Sequence, residues 1–126
     1  MAEDSDGLKT DGRPRSPVTL QIAEEMVRLY KTTFGRGPTR ARADFANRDL
    51  IIVSLENTLT PAERKMAALG EHQRLRDVRL YFQHVTEAEF TEIIERVTGR
   101  TVRGFVSGLD TRADIATEIF YLEPEA

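Results

Sequence analysis

The sequence has no cysteine and no tryptophan, and it has only two histidines among its 126 residues. The absence of cysteine excludes disulfides, thiolate metal sites and a thiol nucleophile. His72 and His84 would point about 120° apart on an ideal helix, so they are not expected to share a metal ion. The spacing of Ser54 and Ser107 singles out no catalytic triad. We therefore expect a non-enzymatic protein with no catalytic residues, no metal and no other cofactor.

Long apolar runs are also missing. No segment reaches the roughly 18–20 consecutive apolar residues that a membrane helix needs, and the polar, acidic N-terminus shows no secretory signal. A cytoplasmic location is therefore expected. With 40% hydrophobic and 31% charged residues, the composition is typical of one soluble globular domain. Residues 1–16 lack apolar periodicity and are predicted to form a disordered polar tail, which leaves residues 17–124 as a single domain.

The chain also has little excess charge of either sign, because 18 basic and 21 acidic residues leave a net charge of −3. Basic and aromatic residues do not combine on one strand face, so we expect no specific nucleic-acid binding. The charge is unevenly distributed in the later part of the chain, where Arg74 and Arg76 come before Glu87 and Glu89. This order suits antiparallel self-pairing, and a solvated helix face explains it as well.

The apolar pattern predicts a first helix followed by a β-hairpin. Ser16-Pro17 is a typical helix start, apolar residues then recur at three- and four-residue spacing, and the glycines after Phe34 end the helix. Residues 39–46 alternate between apolar and polar side chains, as in a strand with one wet face. Residues 50–55 are apolar on both faces and predict the second strand of the hairpin.

A helical region is predicted from Pro61 to Val97, and a capping-box pattern at residues 60–63 opens it. Gly70 interrupts this region, and Thr86 followed by Glu89 predicts a kink or a restart. Two sets of apolar side chains at helical spacing are expected to lie in the core: Leu75, Val78, Phe82 and Val85, then Phe90, Ile93, Ile94 and Val97. Replacing Phe82 or Ile93 by alanine is accordingly expected to destabilise the fold by about 2–5 kcal/mol.

Residues 101–109 and 114–122 predict a second hairpin. The predicted fold class is α+β, a two-layer domain in order α-β-β-α-(α)-β-β. Its two hairpins form one four-stranded, mainly antiparallel sheet with helices on one face. The second and fourth strands are apolar on both faces, whereas a sheet with one wet face should alternate. We therefore expect a homodimer or another protein partner to cover the second face, unless the helices fold over both faces.

The arginines around the first hairpin support a second hypothesis. The run Gly35-Arg36-Gly37-Pro38 lacks the dinucleotide and Walker patterns, and its glycines also serve to end a helix. Arg36, together with Arg40 and Arg42 on one face of the next strand, is the candidate for a small-anion site that would bind bicarbonate, phosphate or a carboxylate. The alternative is a solvated strand face.

Four short motifs occur in a fixed order: Gly35-Arg36-Gly37-Pro38, Leu59-Thr60-Pro61-Ala62-Glu63, Thr98-Gly99, and Asp110 near the tip of the last hairpin. In the order and spacing of these motifs, residues 18–122 resemble a small bacterial family, that of the Na-translocating-system protein MpsC. The resemblance implies an accessory subunit of a membrane system for sodium-linked or inorganic-carbon transport, with a membrane transport subunit as its partner. It implies no catalytic residues.

Overall fold

The computed structural model describes residues 16–125, so the predicted tail lies outside the described residues except for Ser16. Four helices and four strands follow in the order α1 (Pro17–Phe34), β1 (Arg40–Asn47), β2 (Leu50–Glu56), α2 (Pro61–Ala68), α3 (His72–Val85), α4 (Glu87–Thr98), β3 (Val102–Asp110) and β4 (Ile115–Leu122). The predicted α+β class and the predicted element order are confirmed.

The ends of α1 follow from its local sequence. The hydroxyl of Ser16 accepts a hydrogen bond from the backbone N–H of Thr19 at 3.1 Å, as an N-cap residue does. Gly35 ends the helix with a φ of 78°, and its N–H donates to the carbonyl of Lys31. This left-handed conformation is unstrained in glycine, which explains why the helix stops there.

The helical region after β2 consists of three helices instead of one. A capping box opens α2, where the N–H of Glu63 donates to the Thr60 hydroxyl at 3.2 Å and the N–H of Thr60 donates to the Glu63 carboxylate at 2.8 Å. The chain leaves the helical conformation at Gly70, whose φ is 81°, and again at Thr86. Both breaks fall where the sequence predicted an interruption.

The sheet has the strand order β1-β2-β4-β3, and all neighbouring strands are antiparallel. Val53 of β2 lies opposite Glu118 of β4, and we call the face that carries both the inner face. Helices α1, α3 and α4 cover this face. The main core side chains are fully buried between these layers: Ile22, Met26, Tyr30, Ile51, Val53, Leu55, Phe90, Ile94 and Phe120.

The opposite, outer face of the sheet is also rich in apolar side chains. Ile52, Ile119 and Val106 lie side by side across β2, β4 and β3, and Val106 is 51% exposed. Strands β2 and β4 therefore carry apolar residues on both faces, as the sequence predicted. Within residues 16–125 the helices pack on the inner face, so they leave the outer face partly exposed. A partner on this face stays a prediction.

Candidate functional site

Helix α3 directs a row of apolar side chains towards solvent. Val78, Tyr81, Phe82 and Val85 are 48%, 65%, 44% and 60% exposed, and their spacing places them on one side of the helix. We call these four residues the α3 stripe. The sequence prediction that Val78, Phe82 and Val85 lie in the core is therefore wrong. Of that predicted set only Leu75, which is 1% exposed, is buried.

Apart from Leu75, the buried side of α3 is polar. Arg79 and Gln83, one helical turn apart, are both fully buried. An ordinary surface helix would have the opposite polarity, with its apolar side chains inside and its charged side chains in water. Burial of a guanidinium is tolerated only where hydrogen-bond acceptors surround it. The contacts of Arg79 and Gln83 therefore explain the orientation of α3.

Arg79 is held by two segments and an aromatic ring. Its Nη1 donates to Oε1 of Glu63 at 2.8 Å, and its Nη2 donates to the hydroxyl of Thr58 at 3.1 Å. The guanidinium carbon lies 3.9 Å from the centre of the Phe34 ring, which is a cation–π contact. Because Glu63 also caps α2, one carboxylate fixes the position of two helices.

Gln83 reaches a buried carboxyl group on β4. Its Nε2 donates to Oε2 of Glu118 at 3.2 Å and to the hydroxyl of Ser107 at 2.5 Å. The hydroxyl of Tyr30 donates to the same Oε2 at 2.5 Å. Burial raises the pKa of Glu118 to about 7, while hydrogen bonds from Ser107 and Tyr30 and the charge of Arg79 lower it in part. Burial also raises the pKa of Tyr30 well above its ordinary value.

Asp114 connects the β3–β4 hairpin to the segment before α2. Its Oδ1 accepts hydrogen bonds from the backbone N–H of Thr58 at 2.7 Å and from the N–H of Leu59 at 3.2 Å. Asp114 has a φ of 56°, in the left-handed region, which residues other than glycine, asparagine and aspartate rarely adopt. Since Thr58 also accepts a hydrogen bond from Arg79, the hairpin turn and α3 belong to one hydrogen-bonded unit.

The sequence analysis did not identify this polar layer of Arg79, Gln83 and Glu118. One signal was available for α3. On an ideal helix with about 100° of rotation per residue, Thr86, Gln83 and Arg79 lie on the same side as the buried residues of α4. The buried face of α4 therefore predicts that Gln83 and Arg79 are buried as well. For Glu118 no such signal exists, because it occupies an inner-face position of an apolar strand.

The three arginines predicted to bind an anion lie around the first hairpin, each in different surroundings. The Nε of Arg36 donates to the carbonyl oxygen of Asn57 at 3.2 Å, in the segment that follows β2. On the outer face of β1, Arg42 forms an ion pair with Asp44. The guanidinium of Arg42 is thus already engaged with a carboxylate.

Arg40 lies at a surface pocket of about 480 Å³, where the open end of the first hairpin meets the turn of the second. Glu56, its partner in the β1–β2 register, lines the same pocket, as does Asp114. Two carboxylates beside a single guanidinium make the pocket less suited to an anion. Anion binding by Arg36, Arg40 and Arg42 stays a prediction.

The histidines lie apart from each other. The Nδ1 of His72 is 2.7 Å from the hydroxyl of Thr111, and the Nδ1 of His84 is 2.8 Å from the carbonyl oxygen of Leu80 on the same helix. In the part of the chain from 16 to 125, no three His, Asp or Glu side chains are grouped as metal ligands.

These features define a small α+β domain with an apolar helix surface above a buried polar layer. Across residues 16–125, no helix is both long enough and apolar enough to span a bilayer. The family described as "Na+-translocating membrane potential-generating system (MpsC)" matches residues 15–124, and the chain belongs to this family, as the sequence motifs predicted.

The chain is also similar to the "Uncharacterized protein YbcI" of Bacillus subtilis (strain 168). The two are 26% identical over 113 residues, which cover 87% of this chain and 89% of that protein. No solved structure matches the chain.

Proposed function

We propose that the chain is a non-enzymatic, soluble accessory domain that acts through protein–protein contact. The α3 stripe carries this proposal, because four large apolar side chains remain exposed on a helix whose buried side is mostly polar. Contiguous exposed apolar patches on soluble domains are typical of interaction surfaces. The apolar side chains on the outer face of the sheet support the same function.

The orientation of α3 has an energetic consequence. In the observed orientation Phe82 faces water and Arg79 is desolvated. This costs stability relative to an orientation in which Phe82 is buried and Arg79 is solvated. A partner that covers the stripe offsets part of this cost, at about 25 cal/mol for each Å² of apolar surface removed from water. Folding of the single chain leaves the α3 stripe exposed, so its burial against a partner favours binding.

The description of the family indicates what kind of partner the domain binds. It names a membrane-potential-generating system that translocates sodium ions. We infer that the partner is a subunit of such a membrane system and that the accessory domain acts from the cytoplasm. An apolar side chain of that subunit would bind the α3 stripe or the outer face.

Photo-crosslinking in the organism that makes the chain tests this function. The photoreactive residue p-benzoylphenylalanine replaces Tyr81 on α3, Val106 on the outer face, or Arg112 at the exposed hairpin turn as a control. We expect adducts with a defined membrane protein from position 81 or 106 and none from position 112. Equal adduct yields at all three positions, or none at any, would contradict the proposal.

Small-anion binding is the second hypothesis. The position of Arg40 at a pocket supports it, and the carboxylates of Glu56 and Asp114 at the same pocket weaken it. The calorimetric experiment given in the Discussion decides between an anion site and a solvated strand face.

A further inference from the structure

The α3 stripe is symmetric in its order of side chains. From Val78 to Val85 it contains a valine, two adjacent aromatic residues and a valine, with the same three-residue step at each end. Two antiparallel copies of such a helix place valine against valine and aromatic against aromatic. This self-complementarity is the property that a twofold interface requires, because the same patch is used on both subunits.

We propose that a second copy of this chain binds the α3 stripe, antiparallel, about a twofold axis that passes between Tyr81 and Phe82. The inference rests on the proposed function: it names a second copy as the occupant of the α3 stripe and leaves the outer face of the sheet to the membrane subunit. In this pair Val78 lies opposite Val85 of the second copy, and Tyr81 lies opposite Phe82 of the second copy.

The charges that flank the stripe fit this arrangement. Arg74 lies one helical turn before Val78 on α3, and Glu89 lies four residues after Val85, in the first turn of α4 beyond the break at Thr86, so the two are equally far from the axis in sequence. Both are exposed. Antiparallel pairing therefore brings Arg74 of one copy towards the start of α4 and Glu89 of the second copy, twice in each dimer, whereas parallel pairing brings like charges together.

Within one copy, Arg74 has a weak ionic contact. Its Nε lies 3.7 Å from Oε1 of Glu71, and three quarters of the Arg74 side chain is exposed. A pair of this kind contributes little to stability in water. Arg74 can therefore turn towards a second copy at low cost.

The exposed apolar area of the α3 stripe is also consistent with a dimer interface. A standard interface buries about 800 Å² on each partner, and the four stripe side chains supply roughly half of that area. Exposed polar residues around the stripe provide a rim for the rest. The segment 1–15 contains only Met1 and Leu8 as large apolar residues, which are too few to cover the stripe in place of a second copy.

Sedimentation velocity of the full chain over a range of concentrations measures the proposed dimer. We expect wild type to dimerise at micromolar concentration and Val78→Glu to weaken dimerisation on the order of a hundredfold, because it buries an unpaired charge. Val106→Glu is the matched control, since Val106 is an equally exposed valine on the outer face. It should leave the dimer intact, and circular dichroism should show both variants folded.

Charge reversal tests the antiparallel register. Arg74→Glu should weaken the dimer about tenfold, and adding Glu89→Arg in the same chain should restore it. If the second substitution does not restore the dimer, the proposed register is wrong.

Two further results would overturn the homodimer. One is a wild-type monomer at every concentration, and the other is a dimer that Val106→Glu disrupts while Val78→Glu does not. An adduct between position 81 and a different protein, together with a monomer in sedimentation, would retain the accessory function and reject self-association. The two proposals therefore fail separately.

Discussion

The carboxylate of Glu63 caps α2 and, through the same Oε1 atom, accepts a hydrogen bond from Arg79 of α3 at 2.8 Å. This pair fixes how α3 is rotated about its own axis. A rotation that buried Phe82 would carry Arg79 away from Glu63, so the polar layer holds the α3 stripe in its outward position. Exposure of the stripe is thus a consequence of the internal ion pair.

The ion pair predicts a large effect of Arg79→Ala. Removing the guanidinium leaves Glu63 without its partner and opens a cavity beside Phe34, so the free energy of unfolding should fall by about 3 kcal/mol. Urea denaturation followed by circular dichroism measures it. Arg76→Ala, at an exposed position of the same helix, should change stability by only about 0.5 kcal/mol. Similar losses for both variants would show that the pair does not contribute to stability.

Glu118 predicts that stability depends on pH. Its pKa in the folded protein is raised to about 7 from an ordinary value of 4.5, so the folded state binds the proton more tightly than the unfolded state. The resulting stabilisation is complete below the unfolded pKa and is lost as the pH rises through the folded pKa. Between about pH 5 and pH 8 the free energy of unfolding should decrease by roughly 2 to 3 kcal/mol.

Glu118→Gln provides the control for this pH dependence. The amide keeps an acceptor for the Tyr30 hydroxyl but does not titrate, so the decrease in the free energy of unfolding between pH 5 and pH 8 should largely disappear. Glu25 does not contribute in this range, because the hydrogen bond from Arg96 lowers its pKa to about 2 and the stability it contributes is lost only at more acidic pH. An unchanged slope in Glu118→Gln would assign the pH dependence to another group.

Two alanine substitutions separate the predicted core from the observed core. Ile93 of α4 is buried among the core side chains, and Ile93→Ala should cost about 2–5 kcal/mol. Phe82 is half exposed, so Phe82→Ala should cost about 1 kcal/mol or less when the chain is dilute enough to be monomeric. Urea titrations at low protein concentration compare the two. A loss from Phe82→Ala as large as that from Ile93→Ala would place Phe82 in the core after all.

Anion binding predicts a calorimetric difference between wild type and Arg40→Ala. If Arg40 forms the site with Arg36 and Arg42, bicarbonate, phosphate or acetate should release or absorb heat on binding to wild type. The variant should bind at least about tenfold more weakly, which corresponds to the loss of one charge-assisted contact. Identical titrations for the two proteins with each anion would leave a solvated strand face as the explanation.

Much of the fold follows from local signals in the sequence. The capping residues Ser16 and Thr60, the left-handed glycines and the alternation in β1 act within a few residues of where they occur, so they could be recognised without the tertiary structure. The sequence also predicted that β2 and β4 carry apolar side chains on both faces, because this prediction needs only the two-residue period of a strand. The same holds for the order of charges along α3 and α4.

The orientation of α3 had a single sequence signal, the backward continuation of the buried face of α4 through Gln83 and Arg79, which the apolar pattern outweighed. Its apolar side chains and those of α4 were treated as one core-facing face, yet on a single ideal helix the two sets point roughly 90° apart. Helical period alone does not decide which of two faces is inside. Here the choice depends on Glu63, Thr58 and Glu118, which come from distant parts of the chain and satisfy part of the hydrogen-bonding capacity on the polar side of α3, while Nε of Arg79 and Oε1 of Gln83 have no partner among residues 16–125.

The inverted polarity of α3 has a consequence for how the gene tolerates change. Along most surface helices half of the positions accept nearly any residue, but in α3 the polar layer constrains one side through folding, and the proposed association constrains the other. A saturation library should therefore show α3 to be intolerant on two sides, with Arg79 and Gln83 variants depleted in a screen for abundance and variants of exposed positions outside both sides, such as Arg76, retained. Variants of the four outward apolar positions should survive that screen and be lost only when selection demands the activity of the assembled system.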